Sequence, residues 1–216
     1  PEVAAVVARY EATLAREMDQ PIGTTAVELD ARNAIVRAKE AAVGNLLADA
    51  IRAVAKADIG LVNGGGIRSG KVYPPGSPIT RRTVLEQLPF TNRMVTLQVT
   101  GAALKAAMEN GLRSLPTPAG RFLHVSGMTV EAELARPPGA RVTAITVGGA
   151  PLDEARLYSV ATNDFLARGG DGYDMLRDAK HELDTEDSPL VANAAMDYVR
   201  AKGTITTGVE GRIVLK

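Results

Sequence analysis

Cysteine and tryptophan are both absent from this sequence of 216 residues, and histidine occurs only twice, at His124 and His181. Without cysteine the chain can form no disulfide, no thiolate metal site and no cysteine nucleophile, while its redox compartment stays open. A two-metal phosphoesterase centre needs clustered carboxylates and histidines, and no Asp-x-His or His-x-His pattern occurs. We therefore predict no catalytic residue, no metal site and no cofactor within this chain.

An excess of charge is also lacking, because 25 basic residues balance 25 acidic ones. That balance argues against a nucleic-acid partner. No apolar run approaches the roughly 20 residues that cross a bilayer, so we expect no membrane span. The composition, 45% hydrophobic and 23% charged, is typical of a soluble globular domain. The sequence begins at Pro1 rather than at methionine, which suggests a processed or trimmed product.

Helical and strand-like patterns alternate along the chain. We predict a mixed α/β domain of the α+β class, with a mixed β-sheet and flanking helices. The predicted helices cover residues 1–19, 43–57, 83–88, 100–112 and 188–203. Capping residues are expected at Thr83, Thr100, Ser188 and Gly203. The predicted strands cover residues 24–29, 59–62, 95–99, 123–134, 141–147, 157–162 and 212–215.

A glycine-rich segment, Asn-Gly-Gly-Gly-Ile-Arg at residues 63–68, follows one buried strand. Three consecutive glycines cost backbone entropy and suit a place where amide N–H groups turn toward a ligand. Arg68 could then grip a phosphate or carboxylate with two hydrogen bonds. A tight turn after the strand explains the glycines equally well. The segment is not a P-loop, because no Gly-Lys-Ser/Thr follows.

A second segment, residues 164–173, places Phe165 beside a glycine-rich acidic loop that contains Asp171. Phe165 could stack on a flat ring, and Asp171 could accept hydrogen bonds from a ribose diol. The alternative is that Phe165 fills the core, the commoner place for phenylalanine, while Asp171 caps a turn. The loop has too few oxygen ligands in suitable spacing for an EF-hand calcium site.

Two further segments carry candidate binding residues. Phe90 follows a proline in residues 88–92, so two of only three phenylalanines lie at loop edges. Two such rings could sandwich a base, each stack contributing about 1–3 kcal/mol. Arg37 offers a second arginine for an anion, although an ion pair at a solvated helix start is the plainer interpretation. His124 lies in an alternating run and is expected to be a satisfied strand residue, whereas His181, near Glu182 and Asp184, is expected at the surface.

These segments, in this order, resemble the C-terminal domain of the 5′-nucleotidase and UDP-sugar hydrolase family. The matching pieces are residues 44–46, 63–68, 88–90, 120–127 and 163–172. The Asn-Gly-Gly-Gly-Ile-Arg and Gly-Gly-Asp-Gly pieces carry most of the resemblance, which spans about residues 22–216. His124 stands where the family often has glutamine.

The resemblance implies that the domain binds a nucleoside monophosphate or nucleoside, and presents the phosphate to an N-terminal metallophosphoesterase domain of the same polypeptide. Phe90 and Phe165 would sandwich the base, and Asp171 would hold the ribose hydroxyls. Arg37 and Arg68 would contact the phosphate. The other residues expected to line the site are Asn63, Gly65 and Gly66.

The resemblance also implies an organisation around this domain. Residues 1–21 would form an inter-domain linker helix, and residues 22–216 the substrate-binding domain. Two divalent metals would lie in the missing N-terminal domain, and a periplasmic or extracellular location would follow because family members are usually exported. Two alternatives remain: a non-catalytic nucleotide-binding or dimerisation module, and the same domain in a hydrolase of UDP-sugars, cyclic nucleotides or sulfur esters.

Overall fold

The computed structural model describes residues 2–181 and 188–216. Within these residues, eight α-helices alternate with fourteen mostly short strands. The helices are α1 (Glu2–Asp19), α2 (Asn33–Val36), α3 (Ala42–Ala55), α4 (Arg81–Gln87), α5 (Gly101–Leu112), α6 (Asp164–Ala167), α7 (Asp174–Arg177) and α8 (Val191–Lys202). Two segments, Gly64–Gly66 and Gly170–Gly172, form single 3₁₀ turns.

The strands form four sheets. The largest has the spatial order β12 (Lys180–His181), β6 (Met94–Thr100), β11 (Leu157–Asn163), β3 (Ile59–Asn63) and β7 (Leu123–Ser126). A second sheet has the order β10 (Ala150–Pro151), β9 (Val142–Val147), β8 (Met128–Ala132) and β14 (Ile213–Leu215). The smaller sheets are β13 (Thr204–Ile205), β1 (Pro21–Thr25) and β5 (Pro78–Thr80), and the pair β2 (Leu29–Asp30) and β4 (Val72–Tyr73). Parallel and antiparallel pairs occur within the three larger sheets, so the predicted mixed α+β class is confirmed.

The largest sheet separates two hydrophobic cores. Met94 of β6 packs into the core that contains residues of α3 and α8, while Val95, Leu97 and Val99 pack into the core that contains residues of α5. Alternate side chains of a strand point to opposite faces, so β6 is buried on both sides. The central strands are therefore fixed from both faces, which makes their ends rigid supports for other residues.

The parallel pair β3 and β11 sets the position of the site. Their register places Ile59 opposite Val160 and Gly60 opposite Ala161. Because parallel strands end at the same edge of a sheet, the last residues of the two strands, Asn63 and Asn163, emerge together.

Several predicted boundaries were wrong. The chain leaves β1 at Thr25, whose hydroxyl bonds to both the N–H and the carbonyl of Val27, so no strand covers residues 24–29. The N-cap of α4 is Thr80, which accepts a hydrogen bond from the N–H of Thr83. Thr83 therefore occupies the third helical position, and the predicted capping box was placed three residues too late.

Two more corrections concern later segments. Gly127, with a φ of 77°, ends β7, so the predicted strand 123–134 divides between two sheets. The N-cap of α8 is Leu190, and Ser188 is instead buried with its carbonyl accepting a hydrogen bond from Arg93. The caps predicted at Thr100 and Gly203 are confirmed.

The C-terminal segment provides partners for two carboxylates near α3. Glu40 is buried and accepts hydrogen bonds from the N–H groups of Glu210, at 2.8 Å, and Ile213, at 3.2 Å. Asp49 accepts two hydrogen bonds from Arg212, at 2.6 and 2.9 Å. Glu40 and Asp49 thus depend for much of their hydrogen bonding on residues at the far end of the chain.

Candidate functional site

One cavity of about 380 Å³ lies at the edge of the largest sheet where β3 and β11 end. All eight residues proposed from the sequence as binding residues line it. The lining residues are Arg37, Asn63, Gly65, Gly66, Arg68, Phe90, Asn92, Gly120, Phe165 and Asp171. Sequence reasoning missed Asn92 and Gly120, although Asn92 lies two residues beyond Phe90. The structure therefore places the eight candidates together, and their binding roles remain predictions.

The glycine turn Gly64–Gly66 owes its composition to close packing. A Cβ on Gly64 would stand 2.0 Å from the carbonyl oxygen of Val36, and one on Gly65 would stand 3.0 Å from the Cα of Gly120. The N–H groups of Gly64 and Gly65 donate to the carbonyls of Phe122, at 2.7 Å, and Gly120, at 2.8 Å. The expectation that these amides turn toward a ligand was therefore wrong for both.

The carboxylate of Asp171 and the carboxamide of Asn63 line the polar side of the cavity, and the carboxamide of Asn163, outside the lining, bonds to Asn63. The Nδ2 of Asn63 donates to Oδ2 of Asp171 across 2.9 Å, and the Nδ2 of Asn163 donates to Oδ1 of Asn63 across 3.2 Å. Asp171 has a φ of 56°, a left-handed conformation that costs most residues energy and that Asp and Asn tolerate best. Its carbonyl accepts a hydrogen bond from Asn110 at 3.1 Å, which helps to hold this backbone. No described residue bonds to Oδ1 of Asp171, which leaves that oxygen for a ligand.

Two aromatic rings form the apolar side. Phe90 is 49% exposed and Phe165 is 42% exposed, whereas Phe122, the third phenylalanine, is fully buried. The alternative that Phe165 fills the core is therefore wrong. Phe165 lies in the first turn of α6, which Asn163 caps by accepting a hydrogen bond from the N–H of Leu166 at 2.9 Å.

Two arginines supply positive charge to the same cavity. Arg37 is half-buried at the end of α2, and its Nε is buried without a hydrogen-bond partner among the described residues. The guanidinium of Arg68 lies 5.7 Å from the centre of the Phe90 ring. Across residues 2–181 and 188–216, no carboxylate forms an ion pair with either side chain, so the ion-pair interpretation of Arg37 is not supported. A buried donor without a partner is costly, and an anionic ligand would supply that partner.

His124 holds the backbone next to Arg37 in place, through the carbonyl of Val36. Its buried ring bonds through Nε2 to the carbonyl oxygen of Val36, at 2.9 Å, and because a carbonyl only accepts, Nε2 carries the proton. The ring also packs on Gly44, where a Cβ would lie 2.1 Å from it. Burial lowers the pKa of His124 to about 4. The predicted strand position of His124 is confirmed, and so is the surface position of His181 in β12. The expectation that the His124 side chain is fully satisfied is wrong, because its Nδ1 is buried without a hydrogen-bond partner among the described residues. Glu182 and Asp184 lie outside the described residues.

The described part of the chain contains no group of three His, Asp or Glu side chains arranged to hold a metal ion. The divalent metals implied by the family resemblance thus have no ligand set here, and no chemical step is assigned to them. Over the same residues, every helix is too short or too polar to serve as a bilayer-spanning segment.

The chain belongs to the 5′-nucleotidase family. A family model described as the C-terminal domain of 5′-nucleotidase matches residues 21–178, which confirms the resemblance. A 5′-nucleotidase of Diplobatis ommata is 32% identical over 232 residues, covering 99% of this chain and 40% of that protein. A snake venom 5′-nucleotidase of Gloydius brevicauda is 32% identical over 234 residues, covering 99% of this chain and 39% of that protein.

A solved structure agrees in fold. The crystal structure of a 5′-nucleotidase precursor from Thermus thermophilus matches with a TM-score of 0.86 and 38% identity, over 98% of this chain and 42% of that chain. The chain thus spans about two fifths of the length of these relatives.

Proposed function

We propose that this chain is the nucleotide-recognition domain of a metal-dependent 5′-nucleotidase that acts on nucleoside monophosphates. The observation that carries the proposal is that one cavity joins two half-exposed phenylalanines, the carboxylate of Asp171 and two arginines. Among the described residues, one oxygen of that carboxylate has no hydrogen-bond partner and neither arginine forms an ion pair. These groups match, in turn, a base, a ribose and a phosphate.

Each part of the ligand has a partner of suitable chemistry. Phe90 and Phe165 stack on the base, each stack contributing about 1–3 kcal/mol. Asp171 accepts hydrogen bonds from the ribose hydroxyls through Oδ1, while Asn63 holds Oδ2. Arg37 and Arg68 contact the phosphate, since guanidinium groups bind phosphate oxygens with two parallel hydrogen bonds.

Hydrolysis is assigned to a separate N-terminal metallophosphoesterase domain of the same polypeptide, with two divalent metals. Residues 1–21, which include α1, serve as the linker to that domain, and residues 22–216 form the substrate-binding domain. The family match over residues 21–178 supports this boundary. We place the protein outside the cytoplasm, in the periplasm or the extracellular space, a location favoured by the similarity to a venom enzyme.

Calorimetry tests the binding role. AMP, UMP and adenosine are expected to bind this chain weakly, and ribose 5-phosphate, which lacks a base, more weakly than AMP. Phe165→Ala should weaken AMP about tenfold and leave ribose 5-phosphate unchanged. The absence of heat from all three base-bearing ligands at millimolar concentration, with folded protein, would contradict the proposal.

Phosphate release tests where catalysis lies. The isolated chain should release no phosphate from AMP with added divalent metal, because its described residues offer no metal ligand set. Phosphate release that depends on the metal and disappears in Arg37→Met would place catalysis within this chain instead.

A further inference from the structure

Asn163 is a buried residue at the end of β11, only 5% exposed, and it is not one of the residues that line the cavity described above. We infer that Asn163 is the positioning residue that fixes both the stacking ring and the ribose-binding carboxylate. This inference rests on the proposed function of the cavity. It adds a specificity-determining residue that touches no part of the ligand.

The first role of Asn163 concerns the ring. Its Oδ1 accepts a hydrogen bond from the N–H of Leu166 at 2.9 Å and so caps α6. Phe165 belongs to this four-residue helix and lies between the capping residue Asn163 and Leu166, whose N–H bonds to the cap. The cap adds to the hydrogen bond that the N–H of Asp164 donates to the carbonyl of Arg93 at 2.9 Å, and together they fix the first turn of α6. The direction of the Phe165 ring therefore depends on Asn163.

The second role concerns the carboxylate. The Nδ2 of Asn163 donates to Oδ1 of Asn63 at 3.2 Å, and the Nδ2 of Asn63 donates to Oδ2 of Asp171 at 2.9 Å. The two carboxamides form one continuous relay from Leu166 to Asp171. Asp171 thus receives its hydrogen bond only because Asn63 presents its amino group rather than its oxygen.

The direction of this relay is determined at both ends. A backbone N–H only donates, so Leu166 requires the oxygen of Asn163, and the amino group of Asn163 must then face Asn63. A carboxylate only accepts, so Asp171 requires the amino group of Asn63. The two requirements agree, and each carboxamide has one permitted orientation. Asn163 supplies both the acceptor for the N–H of Leu166 and the donor to Asn63.

Asn163→Asp separates the two roles. A carboxylate still accepts from the N–H of Leu166, so the cap and the Phe165 ring are retained. It cannot donate to Asn63, whose oxygen then faces another acceptor. Asn63 must either keep that repulsive contact or flip and turn its oxygen toward Asp171. The flip removes the hydrogen bond to Asp171, and without the flip the repulsion at Oδ1 pushes Asn63 out of the position from which it orients Asp171.

The test compares adenosine with 2′,3′-dideoxyadenosine, which lacks the ribose hydroxyls. The native chain should prefer adenosine, and Asn163→Asp should weaken adenosine about tenfold while the dideoxy affinity changes less than twofold. Asn163→Ser, which can cap α6 and adds no charge, should do the same. Thr100→Ala removes the cap of α5, a helix whose residues do not line the cavity, and should leave the adenosine preference intact.

The outcomes separate this inference from the proposed function. A native chain that binds neither nucleoside contradicts the proposed function. A native preference for adenosine that persists in Asn163→Asp or Asn163→Ser overturns the inference alone. Equal binding of both nucleosides by the native chain contradicts the ribose role of Asp171 in the proposed function, and the inference with it. The side-chain amide protons of Asn63 and Asn163 in the native chain should exchange slowly with solvent, and rapid exchange at both would also overturn the inference.

Discussion

The ring of Phe165 lies against the Cα of Gly170, so closely that a Cβ on Gly170 would stand 2.5 Å from two of its atoms. Gly170 does not adopt a positive φ, so only this contact excludes a side chain there. Gly170 therefore acts as a flat support for a half-exposed ring. The packing explains one glycine of the Gly-Gly-Asp-Gly segment without reference to a bound ligand.

Gly170→Ala should displace the ring and weaken adenosine about tenfold, with little effect on ribose 5-phosphate. Gly208→Ala is a matched control, because its Cβ would meet only Val27, at 3.9 Å, and its φ is not positive. Calorimetry with both ligands checks the result. Adenosine binding by Gly170→Ala at native strength would show that this ring is not the platform.

Arg37→Met should weaken binding while leaving the fold intact. The Nε of Arg37 is buried without a partner among the described residues, so its removal should keep or raise the free energy of unfolding, by up to about 1 kcal/mol. AMP affinity should fall about tenfold and adenosine affinity should not change. Arg32→Met, which breaks only an exposed pair with Asp30, is the control. Equal losses for AMP and adenosine would contradict a phosphate role.

His124 should make the protein sensitive to acid. The unfolded chain gains a proton on His124 below its ordinary pKa of 6.5, whereas burial holds the folded-state pKa at about 4. Stability is therefore lost as the pH falls from about 6.5 to 4, by roughly 3 kcal/mol from this group. His124→Gln can still donate to the carbonyl of Val36 and should lose less stability over this range.

Urea unfolding at pH 7 and pH 4 measures this difference. His181→Gln, at an exposed position in β12, serves as the control for loss of a histidine. An identical loss of stability in the native chain and in His124→Gln would show that other groups account for the acid sensitivity.

Arg212→Met should destabilise the fold by about 3 kcal/mol. The guanidinium is mostly buried and bonds to Asp49, Glu210 and the carbonyl of Val125, so its removal leaves Asp49 partly buried without its charged partner. Arg136→Met breaks an exposed pair with Glu133 and should change stability little. Urea unfolding of both variants compares the two sets of ion pairs. Equal losses in the free energy of unfolding would contradict the distinction between the mostly buried pairs of Arg212 and the exposed pair of Arg136.

Sequence patterns correctly predicted two helix caps, which depend on residues close together in the chain. The caps at Thr100 and Gly203 depend on a few adjacent residues, and both were predicted correctly. The cap of α4 was misplaced because Thr80 and Thr83 are both threonines at suitable spacing. Only the observed start of the helix distinguishes them.

Contacts between distant segments could not be predicted in the same way. The amides of Gly64 and Gly65 bond to residues 120–122, a pairing that depends on β7 lying beside β3. The relay from Asn163 to Asn63 depends on the parallel register of β11 and β3. Local patterns singled out candidates such as Phe165 and Asp171, but only the family resemblance placed all eight in one site, since no local pattern brings Arg37 to Asp171.

The contacts of Glu40 with Glu210 and Ile213 have a consequence for synthesis of the chain. During translation, Glu40 and Asp49 are synthesised long before residues 210–213. Those residues supply two N–H donors to Glu40 and the guanidinium of Arg212 to Asp49. Until then, the observed partners left to them among the described residues are Asn45 for Glu40, and Ser126 and Thr207 for Asp49. Every residue that lines the cavity has by then been translated. During synthesis, the chain therefore contains all of the residues that line the cavity before β14 can pair with β8.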